Sequence, residues 1–106
     1  MISRHWQGIA KREEADGYVE HLRTDTLPQL ANITGFISAS ILKREVDAGV
    51  EFLIITRWSS MEAIHQFAGE TAHKAVVPLV VQAMMVEYDK EATHYEVVED
   101  TAESNV

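Results

Sequence analysis

The chain has 106 residues, 46% of them hydrophobic, with 17 acidic and 9 basic side chains and a net charge of −8. This length and composition predict a single globular domain. The negative charge argues against nucleic acid or an anionic membrane surface as a partner, since both require basic patches. No cysteine is present, which excludes disulfides, thiolate metal sites and cysteine nucleophiles.

No stretch of the sequence reaches the roughly 20 apolar residues of a membrane-spanning helix, so we expect no membrane insertion. The opening residues, MISRHWQG, lack the apolar core of a secretory signal. We therefore expect a cytoplasmic protein.

The first third of the chain predicts a strand followed by a helix. Residues 2–9 are typical of a short strand, and from Lys11 the period changes to that of a helix. The apolar residues at helical spacing are Ala15, Tyr18, Val19 and Leu22. A continuation capped by Asp25 or Thr26 ends at Gly35.

The middle of the chain predicts a β-hairpin. Residues 36–44 (FISASILKR) form one strand, residues 46–49 the turn and residues 49–58 (GVEFLIITRW) the other strand. Residues 52–55 are all hydrophobic although their side chains point alternately to opposite faces. Both faces of this strand therefore require a cover.

The last part of the chain predicts two helices and a strand. Ser60 and Glu62 mark the start of the first helix, and Gly69 marks its end. Residues 70–86 are apolar around much of a helical circumference and predict a second helix, broken or kinked at Pro78. The sequence ATHYEVV predicts a closing strand over residues 92–98.

The element order is β-α-β-β-α-β, which predicts an α+β, ferredoxin-like domain over residues 1–98 and an acidic flexible tail over residues 99–106. Its antiparallel sheet carries both helices on one face. The other face is left bare, and so large an apolar patch is unusual on a monomer. We therefore expect a homodimer that pairs through the sheet face, because symmetric pairs are the commonest oligomers.

Several stretches resemble the antibiotic biosynthesis monooxygenase superfamily, and together they span residues 3–98. They are HWQG near the start, TGF (34–36), EFLIITRWSSMEAIHQFAGE (51–70), AVVP (75–78) and HYEVV (94–98). The resemblance implies a dimeric α+β barrel. It also implies a monooxygenase that oxidises an aromatic or quinol-like molecule with O2 and needs no flavin, metal or haem.

Two other functions remain open on this scaffold: a non-catalytic barrel that binds a small molecule, as in a stress response, and an isomerase or lyase. Haem degraders of the superfamily use an Asn, a Trp and a His. The first strand here has no Asn, and ungapped alignment places Phe67 and Val77 at the other two positions. A shifted register of this alignment would place His73 at the position of the haem-ligating His. We expect neither haem nor another cofactor, and the histidine spacing predicts no metal site.

Three residues are candidates for catalysis. Trp58 ends the third strand, where its ring can stack on a flat substrate or simply fill the core. His73 can act as a general base, or it can be an exposed or capping residue. His5 shares the sheet with His94 in ferredoxin-like order, and each can bind substrate, form a structural hydrogen bond or lie at a dimer contact.

The expected ligand is a small hydrophobic or aromatic molecule. The candidate residues that would bind it are Trp6, Tyr18, Phe67, Met84 and Tyr95. Packing within the core or at a dimer contact is the alternative role for each of them.

Overall fold

The computed structural model describes residues 1–101 as a five-stranded sheet covered by helices. The strands are β1 (Ile2–Ala10), β2 (Phe36–Val46), β3 (Gly49–Trp58), β4 (Met85–Tyr88) and β5 (Thr93–Glu96), and the α-helices are α1 (Ala15–His21), α2 (Leu27–Ala31), α3 (Met61–Ala68) and α4 (Leu79–Met84). A 3-10 turn (Arg12–Glu14) precedes α1, and a π-helical turn (Leu22–Thr26) joins α1 to α2. These pieces follow one another without a break.

The strands pair antiparallel in the order β2-β3-β1, and the other edge of β1 carries β4 at one end and β5 at the other. The register of β1 against β3 places Arg4 opposite Thr56 and Trp6 opposite Ile54. The predicted α+β class with a ferredoxin-like antiparallel sheet is thus confirmed, with the last ferredoxin strand divided into two short segments.

The two faces of β3 differ in their surroundings. Phe52 and Trp58 are completely buried on the face that the helices cover. Leu53 and Ile55 point to the opposite face and are partly exposed. We call these the inner and the outer face of the sheet. The prediction that both faces of this strand are apolar is confirmed.

The helices pack on the inner face in two clusters of buried side chains. The first includes Tyr18 of α1 and Phe52 of β3. The second includes Leu30 of α2, Ile64 of α3 and Trp58 of β3. Burial of such side chains is the main source of stability in a domain of this size.

Local signals fix both ends of α3 as predicted. The Ser60 hydroxyl accepts a 3.3 Å hydrogen bond from the Ala63 amide, which satisfies one of the free donors of the first turn. Gly69 ends the helix at a φ of +80°, and its amide donates a 2.7 Å hydrogen bond to the carbonyl of His65.

The helix predicted over residues 70–86 is wrong for most of its length, since α4 spans only Leu79–Met84. Pro78 lacks an amide donor and disfavours a helical conformation in the residue before it. The backbone of residues 72–75 bonds to distant parts of the chain instead. The carbonyl of His73 accepts from Ala92 at 2.8 Å, and the amide of Ala75 donates to Lys90 at 3.0 Å.

The end of the chain also differs from prediction. The closing strand predicted over residues 92–98 is shorter, at Thr93–Glu96, and residues 85–86 begin strand β4 rather than ending a helix. The domain boundary at residue 98 stays a prediction, and residues 102–106 of the predicted tail lie outside the described part of the chain. Within residues 1–101, no helix is long and apolar enough to cross a membrane.

Candidate ligand cavity

A cavity of about 80 Å³ lies between the inner face of the sheet and the helices. Three aromatic residues form part of its wall: Trp6 from β1, Tyr18 from α1 and Phe67 from α3. Leu22, Leu30, Ile54 and Val81 add aliphatic surface. Residues 75–78 line it as well, and we call this segment the roof. The wall is therefore mostly apolar, as is usual for a small-molecule site.

The aromatic side chains are held in place by contacts outside the cavity. The Trp6 indole donates a 2.8 Å hydrogen bond to the carbonyl of Asp89, just after β4. Tyr18 packs edge to face on Phe52, with ring centroids 4.9 Å apart. Burial raises the pKa of the Tyr18 phenol, so this hydroxyl stays protonated and remains able to donate a hydrogen bond.

Arg4 is the one charged residue in the wall of this cavity. It is only 5% exposed, and its guanidinium lies over the Phe67 ring, 5.6 Å from the centroid. One terminal nitrogen, Nη1, donates to the carbonyl of Ala72 and to Nε2 of His94, 2.8 Å away. The other, Nη2, donates to the carbonyl of Lys74 at 3.1 Å. Arg4 therefore binds the strand β5 and the segment just before the roof.

Burial lowers the pKa of Arg4 to about 10. The guanidinium nevertheless remains protonated at neutral pH. Each of the acceptors named above, two carbonyls and an imidazole, is uncharged. Within residues 1–101, Arg4 forms no salt bridge with a carboxylate. The cavity therefore carries one uncompensated positive charge in an apolar setting.

Trp58 lies behind the cavity rather than in its wall. Its ring is completely buried and stacks on Phe67, with centroids 5.9 Å apart and an interplanar angle of 23°. The indole donates a 2.9 Å hydrogen bond to the Thr56 hydroxyl, and Phe36 packs edge to face on it. Trp58 thus supports the wall from the core.

His5 and Tyr95 lie together on the outer face, away from the cavity. Their rings meet edge to face at 4.9 Å, and Nε2 of His5 is hydrogen bonded to the Ser3 hydroxyl at 2.8 Å. Burial, and then the charge of Arg57, lowers the pKa of His5. His94 is next to β1, as expected, but it pairs with Arg4 and faces the inner side.

The remaining candidates lie elsewhere. His73 is exposed, between α3 and the roof, and Met84 packs against the first core cluster. The structure thus brings Trp6, Tyr18 and Phe67 together at the cavity. It places the other five candidates, Trp58, His5, His73, Met84 and Tyr95, outside the wall, and their predicted roles stay predictions.

The residue that sequence reasoning missed is Arg4. A signal was present, because side chains alternate along a strand and Arg4 therefore shares a face with Trp6 and Gly8. A charged residue on the inward face of a strand is unusual and marks a site to inspect. Thr26 and Thr56, which add hydroxyls to the wall, have no such signal.

The fold and the cavity define a small α+β protein with an apolar site between its sheet and its helices. The sequence profile of the antibiotic biosynthesis monooxygenase family matches residues 1–79, so the chain belongs to this family. No protein of curated function matches the sequence.

Solved structures share the fold. SnoaB, a cofactor-independent oxygenase from Streptomyces nogalater, is 15% identical, with a TM-score of 0.66 and coverage of 96% of this chain and 97% of its own. The monooxygenase ActVA-Orf6 of Streptomyces coelicolor, in complex with nanaomycin D, is 14% identical, with a TM-score of 0.67 and coverage of 97% and 92%. The haem degrader MhuD of Mycobacterium tuberculosis, with two haems in its active site, is 20% identical, with a TM-score of 0.61 and coverage of 96% and 100%. Identities this low establish the fold alone.

The donor atoms of the cavity do not fit haem. Its wall contains no imidazole, thiolate or thioether to ligate iron. Among residues 1–101, no three histidine or carboxylate side chains are grouped so that they could hold a metal ion.

Proposed function

We propose that the protein is a cofactor-independent monooxygenase that oxidises an aromatic or quinol-like small molecule with O2. The observation that supports this proposal is the apolar cavity walled by Trp6, Tyr18 and Phe67, in a chain of the antibiotic biosynthesis monooxygenase family. Flat aromatic walls suit a flat aromatic substrate, which gains contact area and offset stacking there.

The protein's part in the reaction is to bind, orient and shield the substrate. An ionised phenolic ring is electron-rich enough to reduce O2 itself. At an activated CH2 group, four electrons pass to O2: one oxygen atom becomes the product carbonyl and the other leaves as water. The apolar wall excludes bulk water from the reactive intermediates. The protonated Tyr18 hydroxyl is available to donate a hydrogen bond to a substrate oxygen.

Oxygen uptake with a hydroxylated anthracene-type compound and with a single-ring quinol tests this proposal. We expect substrate-dependent uptake that falls in Phe67→Ala, because this change removes one wall of the cavity. The matched control is Ile37→Ala, since Ile37 is 52% exposed on β2, away from the cavity. Binding of these compounds without any oxygen consumption would contradict the proposal and favour the non-catalytic binding protein.

We also propose that two copies pair through the outer face of the sheet. Large apolar side chains on this face remain accessible, including Leu42 at 46% and Tyr95 at 55%. Leu53 and Ile55 lie between them and are partly exposed. A neighbouring copy would remove this surface from water at a gain of roughly 25 cal/mol per Å² of apolar area, before the costs of association.

A further inference from the structure

The positive charge of Arg4 has no partner that neutralises it within residues 1–101. A guanidinium carries five N–H donors. Three of them go to Ala72, Lys74 and His94. The donors without an acceptor among the described residues are on Nε and Nη2, two neighbouring nitrogens. Such a pair matches the two oxygens of a planar anion.

A purely structural role does not account for this charge. The carbonyls of Ala72 and Lys74 require donors, but neutral acceptors do not offset the cost of moving a cation out of water. Buried arginines are usually paired with a carboxylate. Phe67 offsets the cost only in part, because a cation–π contact is weaker than the hydration that a buried cation loses.

Arg4 is positioned so that a ligand in the cavity can neutralise its charge. Its side chain is in the wall of the cavity, and the rest of that wall is uncharged. An anion inside would therefore meet one cation and no competing carboxylate. The apolar surroundings also strengthen this attraction relative to water.

We propose that Arg4 anchors an oxyanion of the ligand, so that the cavity takes a small aromatic molecule with one negative charge, a carboxylate or a phenolate. The cavity of about 80 Å³ is smaller than an engineered cavity of about 150 Å³ that binds benzene. A ring therefore enters only in part, and the rest of the ligand extends past the roof, where Val76 is 48% exposed. This inference rests on the same cavity as the proposed function and makes Arg4 its specificity-determining residue.

Binding of two matched pairs of ligands tests the inference without any reaction. The first pair is benzoate and benzamide, and the second is 4-nitrophenolate and 4-nitroanisole, at a pH where both acids are ionised. Calorimetric titration gives the dissociation constants. We expect at least one anion to bind about tenfold or more tightly than its neutral partner in the wild-type protein. The anion that is preferred tells a carboxylate site from a phenolate site, and either preference supports the inference.

Variants separate the guanidinium from other sources of charge. In Arg4→Gln we expect the anion and its neutral partner to bind equally, and in Arg4→Lys we expect part of the preference to remain. The matched control is Arg57→Gln on the outer face, which should keep the full preference. Equal affinity for anion and neutral partner in the wild-type protein, an anion preference that survives in Arg4→Gln, or no binding of either anion would overturn the inference. The wild-type comparison stands even where a variant does not fold.

The test also distinguishes this inference from the proposed function. Selective anion binding without oxygen uptake supports the role of Arg4 and contradicts the monooxygenase. Oxygen uptake together with equal affinity for charged and neutral ligands supports the monooxygenase and contradicts the role of Arg4.

Discussion

The guanidinium of Arg4 donates a 2.8 Å hydrogen bond to Nε2 of His94. Because a guanidinium has no acceptor, Nε2 of the imidazole must be unprotonated, and the ring carries its hydrogen on Nδ1. Burial lowers the pKa of His94, and the positive charge of Arg4 lowers it further. The folded protein therefore holds this histidine in its neutral form.

Acid should consequently destabilise the fold. A histidine whose pKa is lower in the folded state contributes stability that is complete above its ordinary pKa of 6.5 and is lost as the pH falls through the lowered value. We expect the free energy of unfolding, from urea titrations between about pH 8 and about pH 5, to fall on acidification. In His94→Gln this fall should be shallower, since the amide oxygen of Gln can still accept from Arg4. A pH profile identical to that of the wild-type protein would contradict the prediction.

His5 should also make the free energy of unfolding fall on acidification, because burial and the charge of Arg57 lower its pKa. His5→Asn should therefore flatten the profile independently of His94→Gln. The double variant should show the sum of the two effects, since the side chains point to opposite faces of the sheet.

Substitution of two glycines by alanine should have opposite effects on stability. Gly35 has a φ of +99°, and an added Cβ would lie 2.6 Å from Cβ of Ala63. We expect Gly35→Ala to cost about 1–3 kcal/mol. Gly17 is within α1, where the nearest atoms are 3.9 Å from an added Cβ, and Gly17→Ala should stabilise by about 0.5–1 kcal/mol. Urea unfolding of both variants checks the sign of each change.

Truncation of Trp58 should be among the most costly changes in the chain. The ring is completely buried and contacts Phe36 and Phe67, so Trp58→Ala should lose about 3–5 kcal/mol. The control is Leu79→Ala, which should stay within about 0.5 kcal/mol because Leu79 is 81% exposed. Chemical denaturation measures both. A loss below about 1 kcal/mol for Trp58→Ala would mean that this part of the core is loosely packed.

A charge on the outer face should separate the proposed dimer. Leu53 is at the centre of this face, between Gln7 of β1 and Leu42 of β2. Light scattering with size-exclusion chromatography should give a dimer for the wild-type protein and a monomer for Leu53→Glu. Leu79→Glu, on the helical side, should remain a dimer. A wild-type protein that stays monomeric at high concentration would overturn the pairing.

The parts of the fold that could be predicted are those with local causes. The hydrophobic run of β3, the Ser60 cap of α3 and the stop at Gly69 each depend on a few neighbouring residues. The helix predicted over residues 70–86 failed before Pro78 because the backbone of His73 and Ala75 bonds to Ala92 and Lys90 instead. At its other end, Met85–Tyr88 pairs with the edge of β1, and neither contact can be seen in the local sequence.

The cavity was only partly predictable for the same reason. Trp6, Tyr18 and Phe67 are large aromatic residues on inward faces, which residue type and period indicate. The position of His73 depends on an irregular segment, for which the sequence has no periodic signal. Arg4 was overlooked because its role depends on carbonyls almost seventy residues away along the chain.

The hydrogen bonds from Arg4 to Ala72 and Lys74 limit how freely this position can vary. Any substitution there alters the attachment of the segment before the roof and the electrostatics of the interior at the same time. Engineering of a larger or reshaped pocket is therefore better directed at Leu22 and Val81, which line the cavity from the helical side. Position 4 is the place to change only when both properties are meant to change together.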